Sequence, residues 1–225
     1  MSIICLAGKA GSGKDTFADV LTKHYNYTRI ALADPLRELC SKVFRMDYNL
    51  FLDQDKKDSS IPGGRVMLDF HHIDKIRDYI SKEWGYEVDN DQRNNMEEWH
   101  GEEFDTPRDI LRCVGTRLLR EHVSDTIWLD LAMSTIRKAG GKVVVTDCRF
   151  ENERDMFGKC GALLVLIKRN DDGNPAQHEF NLGNEVEYDV IFDNSGTLNE
   201  FQSNVSMWYK LRSNELELYR VFKYE

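Results

Sequence analysis

A three-layer α/β fold, built on a central, mainly parallel sheet and carrying a helical insertion, is predicted for these 225 residues by three observations. The apolar run Ser2 to Ala7 passes through a glycine-rich turn into a helically spaced stretch, the strand–turn–helix opening of a parallel α/β sheet. Lys142 to Thr146 is so uniformly apolar that it needs cover on both faces, as inner strands of parallel sheets have. Between about Arg45 and Asp105 the alternation stops, and charged and polar sequence takes over. The expected organisation is one domain over residues 1–225, with a helical lid segment inserted at about 45–105.

Each element follows from local pattern. Lys14 to Tyr25 spaces Phe17, Ala18, Val20 and Leu21 as one helical face. Thr28 to Ala33 reads as a second strand. Asp34-Pro35 then opens a helix to about Phe44, with proline in the first turn, where its missing N–H costs nothing. Within the insertion, the charge-rich Asp53 to Asp58 and a Pro62-Gly63-Gly64 turn precede a helix from Leu68 to Trp84, and polar Asp89 to Glu103 follows. Thr106 as N-cap, Pro107 at the first helical position and Asp109 in the first turn start a helix to about His122. Another helix covers Ile127 to Ala139 and stops at Gly140-Gly141. After the Lys142 strand come a helix over Glu151 to Lys159, strands at Ala162 to Ile167 and Asp189 to Phe192, and a helical tail from Leu198.

Composition excludes several classes. Hydrophobic residues at 41% and charged residues at 31% match a soluble globular protein, and no apolar run is long enough to span a bilayer. The N-terminus lacks the basic segment of a secretory signal, so a cytoplasmic location without membrane association is expected. Five cysteines, odd in number and without a C-x-x-C pair, suggest no disulfide framework; Cys5, Cys113 and Cys148 read as reduced core residues. A net charge of −9 opposes bulk attraction to a nucleic acid polymer, so any basic site must be local. His71 and His72, flanked by Asp69 and Asp74, match no zinc spacing and read as structural.

The heptad Gly8-Lys9-Ala10-Gly11-Ser12-Gly13-Lys14 fits G-x-x-x-x-G-K, in which glycines let successive backbone N–H groups face phosphate oxygens and the lysine reaches the β- and γ-phosphates. Gly8, Ala10, Gly11, Ser12, Gly13, Lys14, Asp15 and Thr16 are the expected ATP contacts. The motif departs from the usual one in that Asp15 follows the lysine, where a serine or threonine ordinarily binds Mg²⁺, and Thr16 comes one place later. Asp15 reads as holding Mg²⁺ through a water or orienting the acceptor phosphate, and Thr16 as a donor to the α-phosphate. The plainer alternative for Asp15 is to complement the helix dipole.

Asp147 and Arg149 stand where an inner strand ends, the edge at which open α/β sheets bind ligands. Asp147 suits Mg²⁺ or a hydrogen bond to the acceptor, Arg149 the charge on a transferring phosphoryl, and Glu153 either Arg149 or a sugar. A helix N-cap for Asp147 and a surface ion pair for Arg149 are the structural alternatives. Arg108 and Arg112, four residues apart, share one helical face and can grip one phosphate; a solvated cationic face is the alternative. Gly115 nearby lets a base or sugar approach, and Thr116 can hydrogen-bond it. Trp128 is by prior a core residue.

With those residues in view, the sequence resembles the deoxynucleoside monophosphate kinases of tailed bacteriophages, within the P-loop nucleoside monophosphate kinases. The segments carrying the likeness are Gly8 to Asp19 (GKAGSGKDTFAD), Ala31 to Leu36 (ALADPL), Pro107 to Thr116 (PRDILRCVGT), Ile127-Trp128-Leu129, Thr146 to Glu153 (TDCRFENE) and Asn194 to Phe201 (NSGTLNEF). The resemblance covers most of the chain. It implies the P-loop NTPase three-layer fold, ATP as co-substrate, Mg²⁺ as cofactor, deoxynucleotide acceptors, and the host cytoplasm if the chain is phage-encoded. By position it also implies Lys14, Asp15 and Thr16 in the phosphate loop and an acceptor site of Arg108, Gly115, Thr116, Trp128, Asp147, Arg149 and Glu153, to which the reading of the residues themselves adds Asp15 and Arg112. Relatives can carry a basic residue where Asp109 stands and an uncharged one at Arg112, so the cationic position shifts along this helix. The 45–105 insertion shows no clear resemblance, which leaves base preference open.

The expected reaction is in-line attack by an acceptor phosphate oxygen on the γ-phosphorus of MgATP, without a general base, since the acceptor is already an anion. Lys14, Asp15, Asp147 and Arg149 are the expected catalytic residues, with Asp15, Thr16 and Asp147 as metal ligands, directly or through water. Two other readings share these residues: a P-loop kinase of another small phosphorylated metabolite, such as phosphomevalonate or dephospho-coenzyme A, and a nucleotide-dependent switch or ATPase. A homodimer through the amphipathic tail from Leu198 to Tyr219 is a further expectation, against an ordinary packed helix.

Overall fold

The structure, a computed structural model, describes residues 2–169 and 185–222, with side chains to residue 213. Of the expected Leu198 to Tyr219 interface, the side chains from 214 on lie outside the described residues. In chain order the elements are β1 (Ser2–Ala7), α1 (Lys14–Tyr25), β2 (Thr28–Ile30), α2 (Asp34–Phe44), α3 (Tyr48–Leu52), α4 (Gln54–Lys57), β3 (Val66–Met67), α5 (Phe70–Tyr79), α6 (Asn90–Glu97), β4 (Glu103–Phe104), α7 (Pro107–Arg112), α8 (Ile127–Ala139), β5 (Lys142–Cys148), α9 (Glu151–Lys159), β6 (Leu163–Lys168), β7 (Val190–Asp193) and α10 (Leu198–Phe222). Helices α5 and α7 continue as π-helix over Ile80–Trp84 and Cys113–Arg120. None of the described helices is long and apolar enough to cross a membrane.

Residues divide into two compact units, 1–32 with 132–225, and 33–131; the 45–105 segment lies in the second. The first unit holds a five-stranded sheet in the order β2-β5-β1-β6-β7, parallel at every pairing. Its apolar strands explain that arrangement: Val143, Val144 and Val145 are fully buried, as an inner strand covered on both sides requires. In β1, Cys5 lies opposite Val145 but Ala7 opposite Cys148, so the register slips by one residue beside Asp147. A core of Phe17, Phe192, Phe201 and Trp208 joins α1, β7 and α10, with Phe17 edge-on to Phe192 at 5.0 Å. The second strand, expected to reach Ala33, ends at Ile30.

The second unit has its own core, in which Leu39, Phe51, Ile73, Ile76, Met96, Phe104, Ile110 and Val114 are buried. The helices expected over Leu68 to Trp84 and Thr106 to His122 are there, each changing from α to π hydrogen bonding part-way. The polar stretch Asp89 to Glu103 contains α6, opened by a capping box of Asp89 and Gln92, and β4, paired antiparallel with β3. His72 and Asp69 form another capping box, and His72 stacks on Phe44 at 4.6 Å, a structural role as expected. All five cysteines are free, and Cys5, Cys40, Cys113 and Cys148 are buried.

Candidate active site

In the first unit, β1 delivers the glycine loop at the carboxyl edge of the sheet, flanked by β5 and β6. The loop turns on glycine backbone: Gly13 has φ +107°, which residues with a Cβ rarely adopt, and a Cβ there would also run into the Asn194 amide. The Ser12 N–H closes a turn onto the Lys9 carbonyl at 3.1 Å. Lys14 folds back over the loop, its Nζ donating to the carbonyl oxygens of Gly8 and Lys9, both at 2.7 Å. Burial takes its pKa from 10.5 down to about 8; Arg149 acts in the same direction, while Asp15 and Asp147 oppose it. Ser12 is buried, and its hydroxyl has no hydrogen-bond partner among the described residues, so a phosphate oxygen would satisfy a group that the protein leaves unpaired.

The carboxylates around this loop have distinct partners. Asp15 is exposed and ion-paired with Arg29 of β2, whose other nitrogen lies 3.6 Å from Asp19. Thr16, half-buried, stands one residue further along α1. Asp147 is buried, and its Oδ1 accepts the Leu32 N–H at 2.6 Å, tying the end of β5 to the chain leaving β2. Helix α9 takes Phe150, not Asp147, as its N-cap residue. Glu153, also buried, accepts the N–H groups of Arg149 and Phe150 at 2.8 and 3.2 Å, which satisfies the start of α9 and fixes the backbone carrying Arg149. Lys14, Asp15, Asp147 and Arg149 thus share one electrostatic neighbourhood within this unit. Among the described residues no cluster of three or more His, Cys, Asp or Glu forms a metal cage; the oxygens of Asp15, Thr16 and Asp147 are hard donors of the kind Mg²⁺ takes alongside phosphates and water.

The second unit carries the remaining predicted residues. Arg108 on α7 is held bidentately by Asp58, through Nε to Oδ1 and through Nη2 to Oδ2 at 2.8 Å. That pairing, with the charge of Arg112 adding to it, holds the Asp58 carboxyl below the usual range. Arg112 and Thr116 are exposed. Asp109 accepts the Thr106 N–H and hydroxyl at 2.9 and 2.7 Å, a capping box. Gly115 is packed from the protein side: a Cβ there would come 2.5 Å from Leu36 Cδ2. Its carbonyl accepts the Trp128 indole N–H at 3.2 Å, and Trp128, buried, packs edge-on to Trp84.

Three residues escaped the sequence reading. Arg29 was a lone charge in an apolar strand, Asp58 one of several acids in a charge-rich run, and Asn194 part of a quoted segment without an assigned role. Only Arg29 carried a signal, an arginine interrupting a strand that leads away from the loop.

Similarity to known proteins agrees with this geometry. The sequence profile of the deoxynucleotide monophosphate kinase family matches residues 64–205. The deoxynucleoside-5'-monophosphate kinase of Escherichia phage T5 is 30% identical over 207 residues, covering 80% of each chain. A protein of Acanthamoeba polyphaga mimivirus, provisionally named a deoxynucleotide monophosphate kinase, is 28% identical over 225 residues, covering 91% of this chain and 94% of its own. Together with the parallel sheet and the glycine loop closed by Lys14, these likenesses show that the chain is a phosphotransferase belonging to the deoxynucleotide monophosphate kinase family.

Proposed function

We propose that this chain transfers the γ-phosphate of ATP to a deoxynucleoside monophosphate, giving ADP and the deoxynucleoside diphosphate. The observation that carries the reading is the loop itself: Lys14 resting on the Gly8 and Lys9 carbonyls, a buried Ser12 hydroxyl without a hydrogen-bond partner among the described residues, and Arg149 nearby, all suited to a polyanion. The names of the relatives supply the acceptor class.

In this reading an acceptor phosphate oxygen attacks the γ-phosphorus in line, and catalysis consists of positioning and charge neutralisation. Lys14 leaves its carbonyls for the β- and γ-phosphates, and Arg149 meets the charge on the transferring group. Thr16, Asp15 and Asp147 are the residues that would hold Mg²⁺, which when bound neutralises phosphate charge. Arg108 and Arg112 grip the acceptor phosphate, with Asp58 occupying the Arg108 fork until the acceptor arrives. Gly115, Thr116 and Trp128 in the second unit, and Glu153 in the first, are the further residues assigned to the acceptor.

The test is a coupled ADP-release assay with MgATP and each of dAMP, dGMP, dCMP and dTMP, beside ribonucleotide and no-acceptor controls. Turnover that depends on a deoxynucleotide is expected. ADP release equal to the no-acceptor control would refute the acceptor class and point to a nucleotide switch or another metabolite.

A further inference from the structure

We infer that Asn194 is a positioning residue for ATP binding, whose side-chain amide aims the Gly13 N–H at the donor phosphates. The inference rests on the reading of the glycine loop as the ATP phosphate site. Asn194 follows β7 and is buried, and its Nδ2 donates to the Ser12 carbonyl at 2.8 Å. Its own backbone is anchored to the sheet, the N–H donating to the Lys168 carbonyl at the end of β6 at 2.7 Å. Asp193 Oδ1 accepts the next N–H, that of Ser195, at 3.0 Å. The amide is therefore a fixed point, and the loop is the part that it holds.

The consequence follows from peptide geometry. No peptide in the described chain is cis, so the Ser12 C=O and the Gly13 N–H point in opposite directions across one planar unit. Holding the carbonyl against Asn194 turns the N–H to the other side, away from Asn194 and Phe201, which fill the space beside Gly13. That N–H donates to no backbone or side-chain acceptor among the described residues. A loop peptide free to flip would at times present its carbonyl to the phosphates, and a carbonyl dipole facing a triphosphate opposes binding. Asn194 removes that alternative and also explains glycine at 13 by contact, since a Cβ there would meet its amide.

The experiment is calorimetric titration of the full chain with the Mg²⁺ complex of adenylyl imidodiphosphate, for the unaltered protein, Asn194→Ser and Asn194→Asp, at pH 8 and pH 5.5, each variant compared with the unaltered protein at the same pH. Serine is too short to reach Ser12, and an aspartate carboxylate has no proton to give. Both variants are expected to bind about tenfold more weakly at pH 8, the effect of one lost buried hydrogen bond. At pH 5.5 the protonated carboxyl of the Asn194→Asp variant donates to the Ser12 carbonyl, so this variant should recover most of the loss while Asn194→Ser does not. The acceptor KM at saturating ATP should stay within about twofold throughout. Equal affinity in all three proteins, no recovery of Asn194→Asp on acidification, or loss of the circular dichroism of the folded chain in both variants would each overturn the inference. Absence of binding by the unaltered protein would instead remove the ATP reading, and with it this inference.

Discussion

Replacing Gly115 by alanine separates two roles for that residue, packing and ligand approach, and the structure sets the size of the effect. The new Cβ would sit 2.5 Å from Leu36 Cδ2, where carbon atoms ordinarily stay about 3.5–4.0 Å apart. Closing that gap means moving α2 or turning Leu36 out of its rotamer, and overpacking of this kind costs about 1–3 kcal/mol. Alanine's better helical propensity returns up to about 1 kcal/mol, so from the middle of that range, about 2 kcal/mol, the net loss is about 1–2 kcal/mol. For a chain of this size that lowers Tm by about 2–8 °C. Urea unfolding of Gly115→Ala, Leu36→Ala and the double variant is the assay. Since the smaller residue 36 makes room for the Cβ, the double variant should be more stable than the sum of the two single losses by at least about 1 kcal/mol. Additive losses, or a Gly115→Ala protein as stable as the parent, would refute the packing argument. Turnover adds the second answer: activity that returns in the double variant assigns Gly115 to packing, whereas activity that stays lost with stability restored assigns it to the acceptor.

Four further outcomes test the site. Lys14→Ala should reduce kcat by at least about two orders of magnitude in the ADP-release assay, and near-normal turnover would sink the mechanism. Because burial lowers the Lys14 pKa to about 8, its positive charge is present below that pH and is lost as pH rises through it. The ATP Kd should therefore be flat to about pH 7.5 and rise towards tenfold per unit above about 8, with proton uptake on binding; a flat profile to about pH 9 would contradict this. Asp58→Asn should lower the acceptor KM by about three- to tenfold with kcat nearly unchanged, since the acceptor no longer displaces a charged carboxylate from Arg108, whereas a raised KM would mean that Asp58 orients Arg108. Arg29→Ala leaves Asp15 without its cation beside the loop, so ATP affinity should fall by about three- to tenfold at low salt and less at high salt, and an affinity unchanged at low salt would refute that role for Arg29.

Long-period signals in the sequence were legible and pairings were not. Helices α1, α8 and α9 lie where spacing and flanking glycines put them, because amphipathic faces and stop signals are local. The ribbon of Val66–Met67 with Glu103–Phe104 was invisible, since two-residue strands have no alternation to detect. Helix α6 hid in polar sequence for a related reason: Met96 is its only buried residue, so the capping box of Asp89 and Gln92 was the sole available sign. For the site, the loop motif is a local statement about backbone and was read directly. Arg108 with Asp58, Asp15 with Arg29, and Ser12 with Asn194 join residues 50, 14 and 182 apart, and nothing in the spacing of either member names the other.

The partner of each carboxylate also says what freedom it has. Asp109 and Glu153 accept backbone N–H groups at the starts of α7 and α9, and Asp147 accepts the Leu32 N–H; losing those bonds would orphan helix-end or strand-end donors. Such carboxylates are committed to the fold, and Asp147 and Glu153 can serve a ligand only through their remaining lone pairs or through the residues that they hold in place. Asp15 and Asp58 are different, for both are partly or largely exposed and both pair with an arginine side chain, an interaction that water and competing anions can replace at small cost. In the proposed reading, a phosphate arriving at either unit would therefore meet a cation whose present partner is easily exchanged, and in the first unit also a lysine resting on two carbonyls. The chain keeps its net charge of −9 and still offers local positive charge on demand, because the groups opposing that charge are the ones least tied to the fold.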